Sequence, residues 1–374
     1  MIKKTTLFIT FFLCSVLISA QETPSIEYFL EGAIVSEMTG SQDEIWIATY
    51  GRGIYHYSVK DDKWENYSTS KGNLQQDFFY CVTFNEDFVW AGSSDGLFTL
   101  DRKRNSWRKR KFGMGGELGN WIRSIEYDKD FNSVWIGRFK YLTRFDITKQ
   151  RFFDYDLTVG GNVKTNNIKY IKLDGDSLVW FASEVGVHKY DKSKSIEDKS
   201  SLQFFDNRNN RFNEEGDAVA IADMICEDEN IWFGLEEFVT VQKPEFNVGG
   251  VYEYNRKVSW ERFDMQSGLP GNGIFCMAKT GNTLWASTYE FNRQNKDQIG
   301  KGIALINRVT KKISVITKDE LNLRSDKILS MYFDGRNMWL GTDSGLLRIR
   351  LVNELAFWNA EKKDSNKKTG RNKK

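Results

Sequence analysis

The sequence predicts an all-β ring: seven blades of four antiparallel strands each. Three observations predict it. Seven tryptophans, Trp46, Trp90, Trp135, Trp180, Trp232, Trp285 and Trp339, recur at intervals of 44, 45, 45, 52, 53 and 54 residues. Each sits in the same short word: IWIATYGRG, VWAGSSDG, VWIGRFKY, VWFASEVG, IWFGLEEF, LWASTYEF and MWLGTDSG. Around each word, short apolar runs alternate with turn residues, three or four strands to a unit. A four-strand repeat of this length is the mark of a seven-bladed β-propeller. One such sheet has two apolar faces and cannot stand alone, so neighbouring blades must cover both.

The elements follow in chain order. In the first unit the innermost strand is expected at Ala33–Met38. The second unit reads as strands at 79–84, 89–92, 97–100 and 106–110, with turns at 85–87 and 94–96. The third repeats this at 122–127, 134–137 and 142–145, and the seventh at 328–333, 338–341 and 346–349. The strand-two tryptophan is large enough to fill the wedge between blades, and its ring nitrogen needs a partner. Gly92, Gly137, Gly234 and Gly341, two residues later, allow close backbone approach. For the last blade the stretch 25–30 is favoured as an N-terminal latch over the alternative at 355–358.

These words, above all W-[IL]-G-T followed by a short turn and G-L, resemble the two-component regulator propeller repeat. Trp339, Leu340, Gly341 and Thr342, with Gly345 and Leu346, match it best, and FDMQSGLPGN at 263–272 resembles that family's linker between blades. The resemblance spans roughly residues 25–360. In that family such propellers form the periplasmic ligand-sensing part of hybrid sensor kinases, many of them responsive to glycans. It implies an exported propeller that binds something. The chain departs from the pattern in having one seven-blade set, no transmembrane helix and no kinase.

Composition bounds the rest. The 374 residues are 40% hydrophobic and 14% aromatic, enough for one large core. Residues 1–20 read as a signal peptide: Lys3 and Lys4, an apolar run from Leu7 to Ile18, then Ser19 and Ala20. The run is short for a bilayer span, so no stable membrane span is expected. Leu13 before Cys14 departs from the small residue that a lipidation site would carry. The propeller is assigned to 21–360 and a disordered basic tail to 361–374. The formal charge is +2. Setting aside the two leader lysines and the +5 of the tail leaves the body near −5, which argues against nucleic acid. Cys81, Cys226 and Cys276 form no disulfide framework, although Cys226 and Cys276 fall in consecutive repeats where one bridge could form.

Function is expected where periodicity breaks. From the tryptophan to the start of strand three is six or seven residues in five units, marked by Gly53, Gly96, Tyr141, Gly186 and Gly345. It is 18 in unit five, to Gly250, and 17 in unit six, to Gly302. Both insertions, 235–249 and 288–301, fall in the same loop of adjacent blades and should project side by side from one face. The first carries Glu236, Glu237, Phe238, Lys243 and Phe246. The second carries Tyr289, Glu290, Phe291, Arg293, Lys296 and Asp297. Aromatics mixed with carboxylates and amides suit sugar rings or an extended peptide.

The loops entering the innermost strands share that face. Asp77, Asn120, Asn166, Asp217, Asn272 and Asp326 recur there and read as acceptors for local turn N–H groups. Tyr80, Trp121, Arg123, Lys169 and Phe275 stand where these loops meet the central channel, an aromatic-basic mouth suited to an anionic or sugar ligand.

Catalytic chemistry is sparse. The two histidines, His56 and His188, both fall on outer strands, and no nucleophile elbow, phosphate loop or EF-hand is present. No metal and no cofactor is expected. The leading expectation is a secreted, non-catalytic module binding a partner protein or glycan over the insertion face. One alternative is a glycan-active enzyme using Glu236, Glu237 and Glu290. Another is a structural component of a cell-envelope assembly. Sequence says nothing of oligomeric state.

Overall fold

Seven sheets of four antiparallel strands make the ring, as expected. The computed structural model describes residues 25–351 except Val241 and Pro244. The leader, the stretch 355–358 and the tail from 361 therefore lie outside the described residues. Blades 1 to 6 run from first to fourth strand in chain order. In blade 7 the strand Ile26–Phe29 pairs outside Gly345–Arg350, with Ile26 opposite Ile349. The N-terminal latch is thus the closure, and the innermost strands touch one another around the full circle.

The blade-to-blade joint explains the tryptophans. All seven are buried, at 3% exposure or less. Trp46 packs with the core of blade 2, Trp90 with blade 3, Trp135 with blade 4 and Trp180 with blade 5. Trp232 packs with blade 6 and Trp339 with blade 1. Burying roughly 200 Å² of indole at about 25 cal/mol per Å² contributes about 5 kcal/mol at most, so apolar packing dominates each joint. The strand-two glycines behave as expected. A Cβ on Gly137 or Gly234 would lie 2.7 Å from the Cγ2 of Ile168 or Ile274 on the next blade.

Five of the seven indole N–H groups are met by carboxylates, and Trp285 donates instead to the Thr280 hydroxyl at 2.7 Å. Trp46 donates to Glu44, Trp135 to Asp128, Trp180 to Asp174, Trp232 to Glu227 and Trp339 to Asp334, over 2.8–3.2 Å. Four of these carboxylates also receive a cation placed just after the third strand of the next blade. Arg102 reaches Glu44, Lys192 reaches Asp128, Arg256 reaches Asp174 and Arg308 reaches Glu227. Blade 3 has Ile147 at that place, packed in the Trp90 cluster, and Trp90 Nε1 is buried with no partner. Acid and cation are lost together, as the penalty for a buried unpaired charge requires.

Strand boundaries differ from expectation at the axis. The innermost strand of blade 1 is Val35–Gly40 and that of blade 2 is Cys81–Phe84. Blade 1 also carries a bulge between Val35 and Glu37, which shifts pairing by one residue. The bridge between Cys226 and Cys276 does not form, and all three cysteines are free. Cys276 stands beside the bulge, its Sγ 3.5 Å from the Ile328 carbonyl, whereas Cys226 ends its strand opposite Ile231. The two lie at different levels along the axis. His56 and His188 also differ: His56 is opposite Trp46, while His188 is opposite Phe181 and so points to the other side of its blade.

The joint makes a prediction. Trp180→Phe should lose about 1–2 kcal/mol more stability than Trp90→Phe, because only Trp180 forfeits a hydrogen bond. Urea unfolding of the two variants measures this. Equal losses would remove the hydrogen bond from the account.

Candidate functional site

The bulges build the site. In six blades one extra residue interrupts the innermost ladder: Ser36, Arg123, Lys169, Ala222, Phe275 and Leu329. Tyr80 holds the matching place just before the strand of blade 2. All seven line one axial cavity of about 530 Å³. Four of the five expected mouth residues, Tyr80, Arg123, Lys169 and Phe275, therefore sit on this ring. Trp121 sits at the rim, stacked on Phe139 with centroids 5.2 Å apart.

A second ring surrounds the first. It comes from the position four residues after each blade tryptophan: Tyr50, Ser94, Phe139, Glu184, Glu236, Tyr289 and Asp343. Glu184 takes Arg123 at 3.1 Å, and Glu236 takes Lys169. Tyr50 meets Tyr80 at 5.6 Å, and Tyr80 meets Trp121 at 5.7 Å. Phe78 adds an edge contact to Tyr50 at 4.9 Å. The result is an aromatic shelf from blade 1 to blade 3, with Tyr50 and Phe78 43% and 46% exposed. Tyr50, Phe78, Phe139 and Glu184 were missed from sequence, although the spacing of the repeats places three of them. Arg138, fully buried, replaces the Ser or Thr seen at that place in blades 1, 2, 4, 6 and 7. It holds the carbonyls of Met114 and Gly119 and so fixes the loop that presents Trp121.

Opposite the shelf stands the insertion face. The insertions are extensions of hairpins. Strand Ile231–Phe238 pairs with Asn247–Tyr254, and Thr283–Asn292 pairs with Asp297–Asn307. The hairpins are joined: the Glu237 carboxylate accepts the Phe291 N–H at 2.7 Å, and Phe238 meets Phe291 at 4.9 Å. Tyr289 is fully buried, its hydroxyl donating to the Glu237 carbonyl and accepting from the Glu237 N–H. Phe238, Glu290 and Arg293 remain exposed, with Glu290 paired to Lys301 at 2.8 Å. Burial pushes the Glu237 carboxyl up.

Four of the six recurring Asp and Asn of the entry loops are turn acceptors, while the Asp217 carboxylate accepts from Lys243 at 3.1 Å. Asp77, Asn120, Asn166 and Asn272 take the N–H groups of Thr69, Phe112, Leu157 and Met265. Among the described residues no group of three or more His, Cys, Asp and Glu is placed to hold a metal ion. Nor is any helix long and apolar enough to cross a membrane.

Deeper in the channel lie Glu37, Glu126, Asp223 and Lys172. The Glu37 carboxylate accepts the Val82 N–H of the next blade at 3.0 Å, and Asp223 accepts that of Met277 at 2.6 Å. Burial pushes Glu37 up to about 8, and Glu126 and Asp223 add to the effect. Burial likewise raises Glu126 and Asp223. Burial pulls Lys172 down, but Glu126 and Asp223 outweigh it and leave it raised.

No protein-family model matches the chain, and no curated protein sequence does. Solved structures share its fold. The extracellular domain of BT4673 from B. thetaiotaomicron is 17% identical with a TM-score of 0.63, over 87% of this chain and 39% of that chain. YCF48 bound to D1 peptide is 10% identical with a TM-score of 0.62, over 89% and 99% of the two chains. PorZ, a surface component of the type-IX secretion system of Porphyromonas gingivalis, is 13% identical with a TM-score of 0.58, over 85% and 46%. This chain thus spans about two fifths of the BT4673 chain. At these identities the likeness establishes the propeller and nothing finer.

The buried acid makes a pH prediction. In the unfolded chain Glu37 ionises above its usual 4.5, whereas the folded protein keeps it neutral to about 8. The folded state binds the extra proton between those values, so this stabilisation is full below about 4.5 and is lost as pH rises through 8. Glu37→Gln keeps an acceptor for Val82 and removes the titration. Its stability relative to the parent should rise steadily from pH 5 to pH 8 in urea unfolding. A difference that stays flat with pH would refute the assignment.

Proposed function

We propose that this chain is a non-catalytic binding module that holds an extended partner, a protein segment or a glycan, across the face bearing the two hairpins. The supporting observation is that the joined hairpins of blades 5 and 6 stand across a charged channel mouth from an exposed aromatic shelf. Rigid aromatic rings give large contact area for little lost side-chain freedom. Exposed Phe238 on one side, and Tyr50 and Phe78 on the other, supply two apolar anchors, with Arg123 and Glu184 between them.

The carboxylates considered for catalysis each have another task. Glu236 is tied to Lys169, Glu237 to the Phe291 N–H and Glu290 to Lys301. That favours binding over turnover. The known relatives by fold include a protein described as bound to a peptide and a bacterial surface component, and both fit a binding role. Export, read from the leader, completes the proposal: the module works outside the cytoplasm.

The test uses the exported full-length protein as bait for envelope extracts and against a glycan array. Phe78→Ala and Phe238→Ala, at side chains 46% and 40% exposed, should each weaken capture about tenfold while far-ultraviolet dichroism stays native. Unchanged capture by the double variant would exclude this face. Turnover of any captured glycan would favour the enzyme instead.

A further inference from the structure

We propose that the rim of the ring from blade 2 to blade 4 docks on an anionic phospholipid surface, through two apolar-tipped loops that the blades themselves do not need. The connections into blades 3 and 4 carry the same five-residue word: an apolar residue, two glycines, any residue and a second apolar residue. It reads Met114, Gly115, Gly116, Glu117, Leu118 in the first and Val159, Gly160, Gly161, Asn162, Val163 in the second. No other connection between blades has such a word. Its four apolar side chains are 45%, 45%, 36% and 68% exposed. Single exposed apolar residues are ordinary, but the same exposed pair on neighbouring loops is not.

The blade joints have no use for these side chains. In the connections leaving blades 1, 4 and 5 one apolar residue, Leu74, Phe212 or Leu269, fills the joint core. Phe112 and Leu157 already do this in the two connections concerned, each 5% exposed. Met114, Leu118, Val159 and Val163 are additional, and they project. Gly115, Gly116, Gly160 and Gly161 all have φ between 57° and 93°. A Cβ on Gly116, Gly160 or Gly161 would meet nothing within 4 Å, so the turns stand in open space. Yet both loops are braced from beneath by buried polar side chains. Arg138 holds the carbonyls of Met114 and Gly119. Thr165 takes the Val159 N–H and donates to the Asn162 carbonyl. Buried hydrogen bonds thus hold apolar side chains out in water, a cost recovered when an apolar phase covers them.

Charge and shape decide the partner. Arg110, Lys140 and Lys164 flank the loops, and among the described residues none has a carboxylate partner. Arg110 lies over the Phe152 ring and Lys164 over that of Phe246, at 3.9 and 5.9 Å. Lys140 sits between Arg138 and Tyr141, and the Tyr141 ring is 3.2 Å from the place of a Gly115 Cβ. Against these three cations the two words carry one acid, Glu117. A bilayer interface takes separate convex tips among its headgroups while lipid phosphates meet the cations around them. A protein partner would need two cavities at the spacing of the blades.

The experiment is flotation of the full-length protein with phosphatidylcholine vesicles, without and with about 30% phosphatidylglycerol. The tail from 361, at +5, attracts anionic vesicles by itself, so the apolar variants decide. The parent should float with the anionic vesicles. Met114→Asn with Leu118→Asn, and Val159→Asn with Val163→Asn, should each weaken this about tenfold with native far-ultraviolet dichroism. Lys140→Gln with Lys164→Gln should weaken it about tenfold as well. Val258→Asn with Val309→Asn should leave it unchanged: these side chains are 82% and 71% exposed, but in turns at the other end of the ring. No flotation of the parent would overturn the proposal. So would flotation that the loop variants keep, which would belong to the tail. Equal loss in the Val258 and Val309 variant would overturn it too, as general apolar adhesion. Capture of an envelope protein through these loops with no vesicle binding would give them a protein partner and overturn it as well.

Discussion

Every other feature of this ring depends on the joint where an indole enters the next blade. The apolar wedge supplies most of the energy, but its N–H must be met inside the joint. In five joints a carboxylate meets it, and that carboxylate must in turn be neutralised. The next blade supplies the cation from a fixed place after its third strand. Three residues on two blades therefore stand or fall together. Asp128 and Lys192 show the tightest case, both essentially without solvent exposure. Where blade 3 offers Ile147, Trp90 has no acceptor either. The closing joint solves the problem differently. Blade 1 has Val59 at the cation's place, and Asp334 is satisfied by the side chain and N–H of Asn337 and the N–H of Arg336. Ring closure there rests on the latch strand, supported by the ion pair of Glu27 with Arg348.

Fastening the blades this way frees the axis. The innermost strands need not pack against one another through large side chains, so each can carry a bulge. A bulge adds a residue without a pairing partner and turns it toward the axis. Repeated around the ring, it gives seven side chains that the scaffold does not specify. Below them the constraint returns. Glu37, Ser124 and Asp223 reach the N–H of Val82, Ile171 and Met277 on the following blade. The channel thus alternates between residues committed to the ring and residues that the ring leaves uncommitted.

Sequence revealed the first constraint better than the second. The tryptophan word is local and repeats, so blade number, strand order and the N-terminal latch were legible. The demand of the indole nitrogen for a partner was legible too, but its carboxylate was not, because the acid lies two to seven residues before the tryptophan at no fixed offset. Arg123, Lys169, Tyr80 and Phe275 were found at the mouth because they flank the recurring Asp or Asn. Tyr50 and Phe139 escaped because they sit inside the repeated word and look like scaffold. Read down the repeats, that column is Tyr, Ser, Phe, Glu, Glu, Tyr and Asp. Variation within an otherwise constant word was the available signal. Tyr289, in the same column, shows the limit of that signal: it faces inward and holds two hairpins together.

The insertions were expected as projecting loops, and their hairpin form changes the physics of recognition. A loop must be ordered when it binds, at about 0.5–1.5 kcal/mol for each immobilised side chain. Here the ladder continues past the normal turn, with Glu290 opposite Ile299 and Phe291 opposite Gln298. Backbone groups that a loop would leave to water are paired within the hairpin. Tyr289 and Glu237 then fasten one hairpin to the other. Glu236, at the base of this wall, ends in the ion pair with Lys169 on the channel ring. Wall, mouth and ring are therefore ordered by the same contacts before any partner arrives. Under the binding role proposed above, affinity at such a surface depends on fit to a fixed shape.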